Sequence, residues 1–171
     1  MNVELVLFGA FALLTLLSAG LVIFAKNAIS SAMSLVATFF FLAGIYVLLW
    51  AHTVAVLQVL VYAGAIMVLF LFVIMLLNLG ETTSPGPQMT LSRIAGGAAA
   101  AGLLVVLVMA IWRMPVPSEA FTGAQAVAGG FGTLKAVGLT IFTRWLLPFE
   151  AVSLLLLVGM VGAVVVAKSR I

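Results

Sequence analysis

Cysteine and aspartate are both absent from the 171 residues, and the four acids are all glutamates. Without cysteine there is no disulfide framework, no thiolate ligand set for an iron–sulfur cluster and no thiol nucleophile. One histidine and four glutamates cannot assemble a recognisable metal site. Charged residues make up 6% of the chain and hydrophobic ones 66%, against about 25% and about 45–50% in soluble domains. Seven Lys and Arg leave a net charge of +3, too sparse for the basic face of a nucleic-acid binder. A disordered tail is excluded too, being poor in apolar residues. No glycine-rich nucleotide loop, no Ser-His-Asp set and no mid-span Lys or Asp is present. A stand-alone pump or transporter would need such midplane charges.

What remains is an all-α, polytopic membrane protein. A span needs about 20 mainly apolar residues to cross about 30 Å of hydrocarbon. From Asn27 to Gly80 run 54 residues without a formal charge other than a protonated His52. As one helix they would reach about 81 Å, so they must fold back, and Trp50-Ala51-His52-Thr53 is the polar interruption. The chain thus divides into five transmembrane helices, near 3–24, 28–50, 54–79, 94–112 and 145–167, in a single membrane domain over 1–171. Residues 80–93 form a linker rich in turn residues, and 114–144 an outer connector broken by Pro115, Pro117, Gly123, Gly129, Gly130 and Gly132. Within it, 133–142 is apolar enough for a short interfacial helix. Glu4 in place of a basic flank, and the length of the first apolar run, argue against a cleaved secretory signal. The basic residues favour an N-terminus outside and a C-terminus in the cytoplasm, with Lys26, Arg93, Lys168 and Arg170 inside.

Polar residues within spans are few. Glu150 comes directly after Pro148-Phe149 near the start of the last span. It reads either as an interfacial acid at a helix N-terminus or as a carboxylate that contacts protons and water. His52 reads as a turn residue. In the third span, Gln58, Tyr62 and Ala65 or Ile66 share one face of an α-helix. Ala63-Gly64-Ala65 makes a narrow waist, suited to a close helix crossing or to a π-bulge. Small residues also line the other spans: Gly159, Gly162 and Ala163 in the last, Gly96 to Ala101 in the fourth, Ser30, Ser31 and Ser34 in the second. Five helices would not use all these thin faces among themselves, so further subunits are expected.

The run Val61-Tyr62-Ala63-Gly64-Ala65-Ile66-Met67-Val68-Leu69-Phe70, continuing through Phe72 to Asn78, resembles the signature of subunit J of bacterial NADH–quinone oxidoreductase, respiratory complex I. Its mitochondrial counterpart is the sixth NADH dehydrogenase membrane subunit. Lys135 to Gly138, Phe142, Pro148-Phe149-Glu150, Ser153 to Leu156 and Gly162-Ala163-Val164 are similar to that family's loop and fifth helix. The resemblance implies a subunit without cofactor, metal or catalytic residue of its own, in a complex whose other subunits carry FMN, iron–sulfur clusters and the quinone site. It implies a multi-pass protein of the bacterial inner (plasma) membrane, beside subunits A, H, K and the antiporter-like subunit N, binding no nucleic acid and forming no homo-oligomer.

The resemblance also implies a π-bulge in the third helix at about Val61 to Ile66. Conversion between π and α would gate a water path that couples quinone reduction to proton pumping. The coupling residues it points to are Gln58, Val61, Tyr62, Ala63, Gly64, Ala65, Ile66, Met67, Val68 and Phe70, with Glu150 as a proton or water contact. Some family members carry an acid where this chain has Gln58, which leaves hydrogen bonding there and makes Glu150 the better ionisable candidate. The equivalent subunit of a ferredoxin- or F420-linked dehydrogenase, a membrane hydrogenase or a multisubunit cation/proton antiporter is the alternative. An independent channel and a purely structural helix bundle are the readings from other classes.

Overall fold

A computed structural model of the chain describes residues 3–77, 91–114 and 128–168. Most of the expected 80–93 linker, the middle of the 114–144 connector, Asn78 and Arg170 lie outside the described residues. The architecture is all-α, with no strand among the described residues. Five helices are long and apolar enough to cross a bilayer, as expected of a multi-pass membrane protein. They are α1 (Val3–Phe24), α2 (Ala28–Leu48), α3 (His52–Leu76), α4 (Leu91–Arg113) and α6 (Leu146–Ala167). A shorter helix, α5 (Leu134–Arg144), precedes the last span.

Short polar punctuation sets the ends. Asn27 caps α2, its Oδ1 accepting from the Ile29 N–H at 2.9 Å, and Thr133 caps α5 by accepting from Ala136 at 3.3 Å. Between α2 and α3 the chain turns on three residues, with Trp50 in the left-handed region at φ 59°. His52 is therefore the first residue of α3 rather than part of the turn.

Helices α1, α2 and α3 form one packed unit, with α2 in the middle. In hydrocarbon the hydrophobic effect does not push helices together, so close packing and interhelical hydrogen bonds must do so. Both are present. Ser18, 6% exposed, donates to the Leu14 carbonyl at 2.8 Å and accepts across the interface from Thr38 Oγ1 at 3.0 Å. Ser31 on α2 donates to the Val22 carbonyl of α1 at 2.6 Å. The ring of Phe11 lies against Gly44, where a Cβ would stand 2.6 Å from Phe11 Cε1. The α2–α3 contact is an apolar core of Ala32, Met67 and Ile74, flanked by Leu35, Val36, Phe39 and Leu71.

The other spans differ. Every residue of 95–113 and of α6 is exposed. Helix α5 reaches α6 through Phe142 and Phe149, whose rings stand 5.2 Å apart. The entry to α5 also joins the first unit at one junction, between Gly132 and the start of α3.

Candidate functional site

Helix α3 is not α-helical throughout. His52–Leu57 and Met67–Leu76 are α, while Gln58–Ile66 between them is π-helical. The N–H of Met67 donates to the carbonyl of Tyr62, five residues back rather than four. The expected bulge is thus in the expected helix, and longer, since it begins at Gln58.

This widened stretch changes which residues face α2. An α-helix turns about 100° per residue, so nine residues carry a side chain to the opposite side. Gln58 and Met67 are nine apart, yet they are 7% and 4% exposed. Both are buried because the π turns absorb the difference. Upstream the buried positions are Ala55 and Gln58; downstream they are Met67 and Ile74, with Leu71 partly covered. The face expected from α-helical spacing, Gln58–Tyr62–Ala65 or Ile66, is therefore corrected. It passes to Met67, while Tyr62 and Ile66 are 49% and 50% exposed and Ala65 is exposed as well.

The residues of the segment occupy distinct places. The Tyr62 ring lies against Phe39 of α2, centroids 5.6 Å apart and tilted by 56°. Ala63 is half-buried, and Val61, Gly64, Val68 and Phe70 are exposed. A Cβ at Gly64 would come 3.2 Å from the Val59 carbonyl oxygen, a close approach that the missing side chain relieves. No hydrogen bond joins the buried Gln58 amide to another described residue, and it is not sealed from its surroundings. An amide so placed has donors and acceptors to offer water or a neighbouring subunit. Val59 and Leu60 also form part of the wall of an open apolar cleft of about 670 Å³ between α1, α2 and α3, with Phe11, Ala43 and Gly44 opposite.

Glu150 stands apart from these groups. It is exposed in the second turn of α6, its carbonyl accepting from Ser153 Oγ at 2.7 Å. The structure therefore gathers the α3 residues on one helix and leaves Glu150 on another that does not pack against it. No cluster of three His, Cys, Asp or Glu is present among the described residues.

Two features were not anticipated from the sequence. One is the burial of Met67 in place of Ile66, which only the π register produces. The other is the contact of Thr53 with Gly132: the Thr53 N–H and Oγ1 donate to the Gly132 carbonyl at 2.9 and 2.7 Å. The glycine-rich composition near 129–132 was the only local signal for the second.

The chain is similar to subunits of NADH- and NAD(P)H-quinone oxidoreductases. The profile of the family described as NADH-ubiquinone/plastoquinone oxidoreductase chain 6 matches residues 18–166. NAD(P)H-quinone oxidoreductase chain 6 of Leptolyngbya boryana is 38% identical over 98% of this chain and 81% of its own length. NADH-quinone oxidoreductase subunit 10 of Thermus thermophilus is 39% identical over 91% of this chain and 84% of its own. NADH-quinone oxidoreductase subunit J of Rhodobacter capsulatus is 33% identical over 96% and 81%.

Proposed function

Because the chain belongs to the NADH-ubiquinone/plastoquinone oxidoreductase chain 6 family, we propose that it couples quinone reduction to proton pumping within such a complex. In this reading Gln58–Ile66 converts between π and α and so opens or closes a water path. The observation that carries it is the nine-residue π segment inside a membrane-spanning helix. Removing the extra residue of a π turn rotates the downstream half of the helix by about 100°. Met67 would leave the core, and exposed Val68 or Phe70 would turn with it. Exchanging large apolar groups for one another at the wall of a narrow passage wets or dries it, which is gating by dewetting. The Tyr62 hydroxyl and the Gln58 amide supply hydrogen bonds to hold water when the passage is open.

The chain performs no electron chemistry itself in this proposal. FMN, iron–sulfur clusters and quinone belong to other subunits, and the neighbours are A, H, K and the antiporter-like N. The membrane is the bacterial inner membrane, with the N-terminus outside and the C-terminus in the cytoplasm. Glu150 serves as a proton or water contact near the path.

Gly64→Val tests the switch. Its Cβ would press on the Val59 carbonyl at 3.2 Å, and its branched side chain adds to the crowding, so the π form is disfavoured. The assembled complex should oxidise NADH with an artificial acceptor at the normal rate. Quinone-linked proton translocation should fall about tenfold, a coupling loss near the middle of the usual range. Unchanged turnover and pumping stoichiometry in an assembled complex would overturn the proposal.

A further inference from the structure

The α/π conversion proposed above turns Met67–Leu76 relative to His52–Leu57, which requires that the His52 end be held. We infer that Gly132 and Thr53 are positioning residues that hold the His52 end of α3 still, so that the rotation is delivered to Met67–Leu76. This inference rests on the switch reading and adds the anchor that reading requires.

Three observations meet at the junction. First, the N-terminus of α3 has no side-chain cap, since Ala51 occupies the capping position. Its exposed N–H groups need acceptors, and the Gly132 carbonyl, 79 residues away in sequence, takes both the Thr53 N–H and the Thr53 hydroxyl. Second, the approach is backbone on backbone. Gly132 is buried, with φ +71°, and an added Cβ there would overlap the Trp50 carbonyl oxygen and stand 3.1 Å from Ala51 Cα. Third, the facing turn is fixed from its other side. Trp50 adopts φ 59°, its N–H donates to Val47, and Ala51 N–H donates to Tyr46, which closes the end of α2. The end of α2, the start of α3 and the entry to α5 therefore share one set of main-chain bonds.

The opposite half of α3 is built differently. Met67–Leu76 contains no polar side chain, and it packs on α2 through Ala28, Ala32, Leu35 and Val36. Turning it by one residue exchanges one apolar group for another and strands no hydrogen bond. The same turn applied to His52–Leu57 would tear Thr53 from Gly132 and leave orphaned backbone groups, each of which is costly where water is scarce. Of the two ends, the one without such bonds is the one that moves.

The test compares the assembled complex carrying wild-type chain, Gly132→Ala, Thr53→Val and Thr53→Ser, at rest and during NADH–quinone turnover, by electron cryomicroscopy and by protons moved per electron pair. In the wild type, His52–Leu57 should superpose between states while Met67–Leu76 rotates. In Gly132→Ala the His52 end should shift as well, and proton translocation per electron pair should drop about two- to tenfold with NADH oxidation intact. Thr53→Ser, which keeps the hydroxyl, should restore the wild-type ratio, and Thr53→Val should fall between. If Gly132→Ala does not assemble, the Thr53 pair decides, and equal ratios for Val and Ser overturn the anchor. An assembled Gly132→Ala enzyme with a still His52 end and a normal ratio overturns it too. If instead wild-type α3 keeps one hydrogen-bond register in both states, it is the switch that fails, and the anchor with it.

Discussion

Helices α1–α3 and helices α4 and α6 are all apolar enough to cross a bilayer, yet one set is packed and the other is bare. Serine and threonine account for much of the contrast. Ser18, Ser31 and Thr38 bond across or along the α1–α2 crossing, and Gly44 lets Phe11 reach the backbone of α2. The small residues of α4 and α6, Gly96, Gly97, Gly159 and Gly162, meet nothing among the described residues, since a Cβ added to any of them would find open space. Thin helix faces promote association only when a matching surface arrives. The first three helices bring their own surface; the other two leave theirs uncovered by any described residue of this chain.

The contrast can be broken most severely at α6. Gly162→Leu fills a face that touches no other described residue, so the α1–α3 unit should keep its thermal stability in detergent. Incorporation into the complex should nonetheless drop by about tenfold or more, as expected when a helix-contact glycine is filled, measured by co-purification with the other subunits. Normal incorporation would mean that α6 faces lipid. Within the packed unit, Gly44→Val drives a side chain into the Phe11 ring and should destabilise the chain by about 1–3 kcal/mol. Thermal unfolding of the detergent-solubilised chain reads this, with Gly20→Val, whose site is open, as the neutral companion. The smallest effect belongs to Ser18→Ala, which removes one interhelical hydrogen bond at a cost of about 0.6 kcal/mol. A double-mutant cycle with Thr38→Val should recover that figure as a coupling energy.

Much of the architecture was legible because the bilayer constrains it so strongly. An uncharged stretch from Asn27 to Gly80 has to be two helices, and the sole polar interruption is where the chain turns. The π segment was legible only through the likeness of Val61–Phe70 to a known signature; Ala63-Gly64-Ala65 alone would equally suit a close helix crossing. Its consequence for register was not legible. Extending α-helical spacing from Gln58 leads to Ala65 or Ile66, and nothing in the apolar run beyond them marks Met67 as the buried one. The bond from Thr53 to Gly132 was hidden for another reason: 79 residues separate the partners, and no periodicity links a loop glycine to a helix start. Trp50 gave no sign of its positive φ, since a bulky residue seldom adopts it.

A contact made by two side chains can be mended after mutation by changing the residue opposite. The meeting of Gly132 with the Trp50 carbonyl allows no such repair, because that oxygen is present whatever amino acid occupies position 50. Suppressors of a substitution at 132 must therefore lengthen, shorten or reroute one of the two loops, and a genetic screen confined to point changes at position 50 should return none.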